Sequence, residues 1–144
     1  MKYLLDTNII SELVSKKPNE EVLKFLSSLD DNSVYLSVIT IGEIKSGIEN
    51  LQNITKKENL TKWLEDDLLK KFENKIINID VDIMITWGKI NHNLKNIGKP
   101  LPIMDSLIAS TCISKNCVLI TRNEKDFQNL ELTIINPFSL ETHH

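Results

Sequence analysis

Five short apolar runs punctuate this chain, at Lys2–Leu5, Val34–Val38, Ile76–Ile79, Val118–Thr121 and Ile134–Asn136, and the stretches between them carry helical periodicity. Strands that alternate with helices favour a parallel sheet covered on both faces, because right-handed crossovers lay the helices over it. The first run stops at Asp6-Thr7-Asn8, polar residues suited to a strand end or a helix cap, ahead of the periodic Ile9, Ile10, Leu13 and Val14. A second helix is expected from Pro18 to Leu29, with a turn at Asp30-Asp31-Asn32-Ser33. Ile41, Ile44, Ile48 and Leu51 predict a helix over Thr40–Leu51, and Leu60, Trp63, Leu64, Leu68 and Phe72 predict another over Thr55–Phe72. Asp80 suits the cap of a helix running to about Asn96, Gly98 a left-handed helix stop, and Lys99-Pro100-Leu101-Pro102 an extended loop. Met104–Ser114 reads as an almost wholly apolar helix, with a short one near Glu124–Leu130. The expected fold class is therefore α/β, a three-layer sandwich with a parallel sheet between helices.

At 144 residues the chain suits one domain, here taken as 1–138, with 139–144 as a tail whose His143-His144 pair fits a tag remnant. No segment approaches the roughly 20 unbroken apolar residues of a bilayer span, and Asp6 interrupts the N-terminal apolar run too soon for a secretory signal. A cytoplasmic protein with no membrane role is expected. Cys112 and Cys117 match neither a zinc site nor a disulfide framework and read as buried thiols; His92 reads as a helix-surface residue. A net charge of −3 with Arg122 as the only arginine does not advertise a nucleic-acid binder, although local lysines can still steer a phosphate backbone.

In open parallel sheets ligands sit beyond the carboxyl ends of the strands, and polar residues collect there. Asp6 follows the first strand, Asn123 and Asp126 follow the strand ending at Thr121, and Glu43 and Asp105 lie near helix starts. Together Asp6, Glu43, Asp105 and Asp126 offer four carboxylates from four segments, hard oxygen donors of the kind Mg²⁺ prefers. Such an ion can neutralise a transferring phosphoryl group and activate water. Clustered carboxylates repel one another unless a cation sits among them, so clustering implies metal. Each acid also has a structural explanation. Asp6 suits a helix cap, Thr40 with Glu43 forms a capping-box pattern, and Asp105 in a first helical turn is favoured by the macrodipole. Asp105, however, stands among apolar residues, where an acid is costly to place without a role. Asp126 lies in a charged stretch and taken alone reads as solvated. The Asp66-Asp67 and Lys56-Lys57 runs read as solvated faces, and Trp63 and Trp87 as core or interface residues rather than base-stacking platforms.

Four ordered segments carry a resemblance: Leu4-Leu5-Asp6-Thr7-Asn8-Ile9-Ile10, Ser37-Val38-Ile39-Thr40-Ile41-Gly42-Glu43-Ile44, Asp105-Ser106-Leu107-Ile108-Ala109, and Leu119-Ile120-Thr121-Arg122-Asn123-Glu124-Lys125-Asp126-Phe127. In this order they resemble the motifs of PIN domains, most closely the VapC type, and the likeness spans Leu4 to Pro137. The resemblance implies a four- or five-stranded parallel sheet and a Mg²⁺- or Mn²⁺-dependent endoribonuclease acting as the toxin of a type II toxin–antitoxin pair. It implies an RNA substrate, a cognate antitoxin and a homodimer paired through helices such as those bearing Trp63, Leu64 and Leu68 or Trp87 and Ile90. Asp6, Glu43 and Asp105 match the family's three acidic positions and its metal ligands, with Asn8, Thr121 and Asn123 in positioning roles. The fourth acidic position departs from the common pattern: Asn123 stands there and Asp126 follows three residues later.

Two other functions compete. Asp6-Thr7-Asn8 faintly resembles the start of aspartate-based phosphohydrolases, although the second acid of that pattern is here Asn8. A binding or repressor-complex subunit that keeps the fold with little catalysis is the other; the intact acids argue against it. The glycines are too scattered for a P-loop or dinucleotide cradle.

Overall fold

The computed structural model describes residues 1–139. The expected tail falls outside them from residue 140 onward, the terminal histidines included. Strand β1 (Lys2–Leu5) leads into α1 (Thr7–Leu13) and α2 (Glu20–Ser27), β2 (Val34–Ser37) into α3 (Val38–Glu49) and α4 (Ile54–Lys62). A wide π-helical stretch over Trp63–Leu68 joins α4 to α5 (Leu69–Lys71), followed by β3 (Ile76–Ile77) and α6 (Val81–Asn96). Then come α7 (Ile103–Lys115), β4 (Cys117–Ile120), a 3-10 turn at Glu124–Phe127 and β5 (Ile134–Ile135). The long helix expected over Thr55–Phe72 is present without a break from Ile54 to Lys71, widened to π geometry in its middle, and Leu64 and Leu68 lie in the core.

Among the described residues the strands form one parallel five-stranded sheet in the order β3-β2-β1-β4-β5. The chain builds outward from β1 to β3 on one side, then crosses back to β4 on the other. That reversal opens a crevice beyond the carboxyl ends of β1 and β4.

Period-two alternation along the strands divides the core into two layers. Leu5, Val34, Leu36, Val118 and Ile120 face one side and pack with Ile9, Ile10 and Val22 and with Ile44, Ile48, Leu64, Leu68 and Phe72 of α3 to α5. Leu4, Cys117 and Leu119 face the other, against Ile108, Ala109 and Cys112 of α7 and against Phe127. Both cysteines are free and buried, and burial pushes their thiols up. Helix α6 packs along α7, and Asp80 caps it by accepting from the Ile83 amide at 2.9 Å. Gly98 ends it at φ +71°, the left-handed conformation that favours glycine. His92 is exposed and bonded only locally, 3.1 Å from Asn96. No helix among the described residues is long and apolar enough to cross a membrane.

The apolar stripes that suggested a pairing surface are largely packed within the chain itself. Leu64, Leu68 and Ile90 are buried, Trp63 packs on the core, and the Trp87 indole donates to Ser106 Oγ at 2.8 Å. Exposed apolar side chains of α6 and α7 include Val81, Met84, Ile85, Ile103 and Met104.

Candidate active site

Asp6 is the first residue beyond β1, and its amide donates to the Ile120 carbonyl at 2.9 Å, tying it to the end of β4. Its side chain does cap α1, as expected, with Oδ1 accepting from the Thr7 amide at 2.8 Å. Oδ2 meanwhile accepts from Thr121 Oγ1 at 2.8 Å and from Asn8 Nδ2 at 3.3 Å. Thr121 is fully buried, and its hydroxyl also accepts from Asn8 Nδ2 at 3.2 Å and from the Asn123 amide at 3.1 Å. Asn8 Oδ1 closes the network by accepting from the Arg122 amide at 3.1 Å. The segments after β1 and β4 therefore hold one another through the side chains of Asp6, Asn8 and Thr121. Asp6 is buried, and both of its carboxylate oxygens accept hydrogen bonds, which fixes its orientation.

The capping-box explanation of Glu43 does not hold. Helix α3 begins earlier, capped by Ser37, whose hydroxyl accepts from the Ile39 amide at 3.0 Å. Thr40 lies inside the helix, fully buried, with its hydroxyl unpartnered. Glu43 instead accepts from Thr7 Oγ1 at 2.6 Å, a bond across 36 residues that turns it toward Asp6. Asp105 is the third residue of α7, whose first turn has no side-chain cap, so the free amides of the helix start favour an acid there. Its neighbour Ser106 is fixed between two partners, donating to the Ile103 carbonyl at 2.8 Å and accepting from Trp87.

Asp6, Asn8, Glu43, Asp105, Arg122 and Asn123 line one open cleft of about 480 Å³ beyond the sheet. Burial, and then the charges of Asp6, Glu43 and Asp126 in that order, push the Asp105 carboxyl up from 3.8 to about 6. Asp6, Glu43 and Asp126 thus all act on Asp105 electrostatically. Asp126 does so from an exposed position in the 3-10 turn and is not among the residues lining the cleft; the Asn123 side chain is. Among the described residues no three His, Cys, Asp or Glu side chains stand close enough to hold an ion by themselves. The donors present, oxygen only and in mutual repulsion, fit a hard divalent ion that keeps several of its waters.

The match to the PIN domain family model runs over residues 3–131, and so takes in all of these acids. The chain belongs to the PIN-domain family. Within it, the chain is 35% identical over 135 residues to Toxin FitB of Neisseria gonorrhoeae, covering 94% of this chain and 97% of that protein. It is 31% identical over 130 residues to Ribonuclease VapC1 of Haemophilus influenzae, covering 90% and 92%. The crystal structure of FitAcB from Neisseria gonorrhoeae superposes with a TM-score of 0.90 at 34% identity, over 94% of this chain and 98% of that one. This PIN domain is accordingly of the VapC and FitB toxin ribonuclease kind found in toxin–antitoxin systems.

Two contributors to the site escaped the sequence reading. Thr7, read only as a cap residue, orients Glu43, and Trp87 secures the first turn of α7 through Ser106. Neither stands out by composition or periodicity; only the partners reveal them.

Proposed function

We propose that this PIN domain is a Mg²⁺- or Mn²⁺-dependent endoribonuclease and the toxin half of a type II toxin–antitoxin pair, with residues 1–138 as its single nuclease unit. The observation that carries the reading is the meeting of Asp6, Glu43 and Asp105 in one open cleft, where burial and the neighbouring carboxylates push the Asp105 carboxyl up to about 6. Asp6, Asp105 and Glu43 would hold the ion. When bound, it supplies charge neutralisation at the phosphoryl oxygens and a more acidic water. Asp6 is pre-positioned by Thr7, Thr121 and Asn8 and needs no reorganisation to bind. Thr7 fixes the Glu43 carboxylate on the cleft side, where it is placed to accept a proton from the attacking water. Asn123 contributes a neutral side chain that orients substrate or water, and Asp126 an outlying charge.

Beside the cleft runs an apolar groove of about 190 Å³ lined by Ile10, Val14, Ile44, Ile48, Leu60 and Trp63, and sharing Thr7 and Glu43 with it. An antitoxin tail with an apolar face fits this groove and can set a basic side chain among the carboxylates, in competition with Mg²⁺. The exposed α6 and α7 residues around Met84 and Ile103 are the face on which a homodimer would form. A toxin acting on cellular RNA would work in the cytoplasm.

The deciding experiment incubates the purified protein with structured RNA, tRNA first, in Mg²⁺, Mn²⁺ or EDTA. Cleavage with either metal and none in EDTA is expected. RNA left intact by folded protein with both metals, or cut equally in EDTA, overturns the reading.

A further inference from the structure

Arg122 is the only arginine of the chain, it lines the acid cleft, and among the described residues it takes part in no ion pair. A guanidinium on a flexible stem beside Asp6, Glu43 and Asp105 would ordinarily fold onto a carboxylate, where a charge-assisted fork is strongest. Three contacts keep it elsewhere. Its backbone is pinned at both groups, the amide to Asn8 Oδ1 at 3.1 Å and the carbonyl to Asn136 Nδ2 at 3.3 Å. Its guanidinium lies over the Phe138 ring, 4.6 Å from the centroid. Stacking engages the face of the guanidinium and leaves the in-plane N–H donors at its edge for another acceptor. Nor does Arg122 relieve the acids: the influences on Asp105 are burial and other carboxylates.

An RNA entering this cleft must bring a polyanion toward four carboxylates on a protein of net charge −3. An exposed, planar, stacked cation at the rim meets that need. Resting on the ribonuclease reading above, we infer that Arg122 is the phosphate-binding residue that seats RNA in the cleft, gripping a backbone phosphate beside the scissile bond while Phe138 holds its plane. A residue with this task contributes to ground state and transition state alike, so it acts on KM rather than kcat.

The test compares Arg122→Gln, Arg122→Lys and Phe138→Leu with the wild type in steady-state cleavage. Binding of a fluorescein-labelled single-stranded RNA to each, in an Asp105→Asn background with Mg²⁺, is followed across a salt series. For Arg122→Gln we expect KM to rise about tenfold with kcat nearly unchanged, and the thermal midpoint to stay where it is. The slope of log K against log salt should become shallower by about 0.7, one phosphate contact on a single strand. Arg122→Lys should keep the slope but recover only part of the affinity, since an ammonium has neither fork nor stack; Phe138→Leu should lose affinity at unchanged slope. An unchanged slope and KM in Arg122→Gln, or a fall in thermal midpoint with no change of slope, overturns the inference while leaving the nuclease reading intact. A wild type that cuts no RNA with either metal overturns both.

Discussion

Replacing Asp105 by Asn separates the electrostatics of this site from its chemistry. The folded chain holds the Asp105 proton up to about 6, the unfolded chain only to the ordinary 3.8. Between those values the folded state binds more protons, so stability falls as pH rises; below 3.8 no penalty exists, and above about 6 it is complete. A shift of this size corresponds to about 3 kcal/mol, which solvent screening at a partly open carboxyl reduces to about 1 kcal/mol. Asn keeps the shape and removes the charge. In EDTA at pH 7.5 the variant should melt about 3–5 °C above the wild type, and the two should converge as pH falls toward 4. Mg²⁺ should raise the wild-type midpoint more than the variant's, because ligand stabilises only the state that binds it. Cleavage of RNA should fall by about two orders of magnitude or more. Differential scanning fluorimetry across pH, with and without Mg²⁺, alongside a gel-based cleavage assay, reads all three. Equal midpoints in EDTA at pH 7.5 would refute the repulsion argument, and wild-type turnover would refute the assignment of Asp105 to the site.

Thr40→Val removes a fully buried hydroxyl that has no partner while nearly preserving volume, so chemical denaturation should show a gain of about 1 kcal/mol; a loss would mean the hydroxyl is satisfied. Thr7→Val deletes the bond that orients Glu43 and should lower kcat about tenfold at saturating Mg²⁺ with the fold intact by circular dichroism; an unchanged kcat would leave Thr7 a mere packing residue. Asn123→Ala and Asp126→Ala should give partial and unequal losses, since one residue lines the cleft and the other only adds charge to it; the Asp126 change should weaken Mg²⁺ binding in titration calorimetry, and two neutral outcomes would make this segment structural.

The alternation of strands and helices was legible because each strand is a self-contained apolar run and each helix advertises its buried face. Boundaries were less so. Helix α3 starts at Val38 because Ser37 caps it, although Thr40 offered an equally good local cap; sequence has no means of ranking two hydroxyls three residues apart when burial decides between them. The π turn at Trp63–Leu68 left no mark in the periodicity either, since Leu64 and Leu68 keep the four-residue spacing of an ordinary buried helix face.

The acids were legible as types at strand ends and helix starts, and the ordered motifs were enough to point to the family. Sequence by itself determined that an acid would follow the first strand, that α7 would begin with one in apolar surroundings, and that a parallel sheet would bring strand ends to one side. Only the tertiary structure decided that they meet. Placing β4 beside β1, although more than a hundred residues separate them, is a property of sheet order, which depends on how every layer packs at once. From that placement follow the Thr121 bond to Asp6, the turn of Glu43 toward the cleft and the raised carboxyl of Asp105, because Coulomb and hydrogen-bond terms depend on distance in space and are blind to distance along the chain.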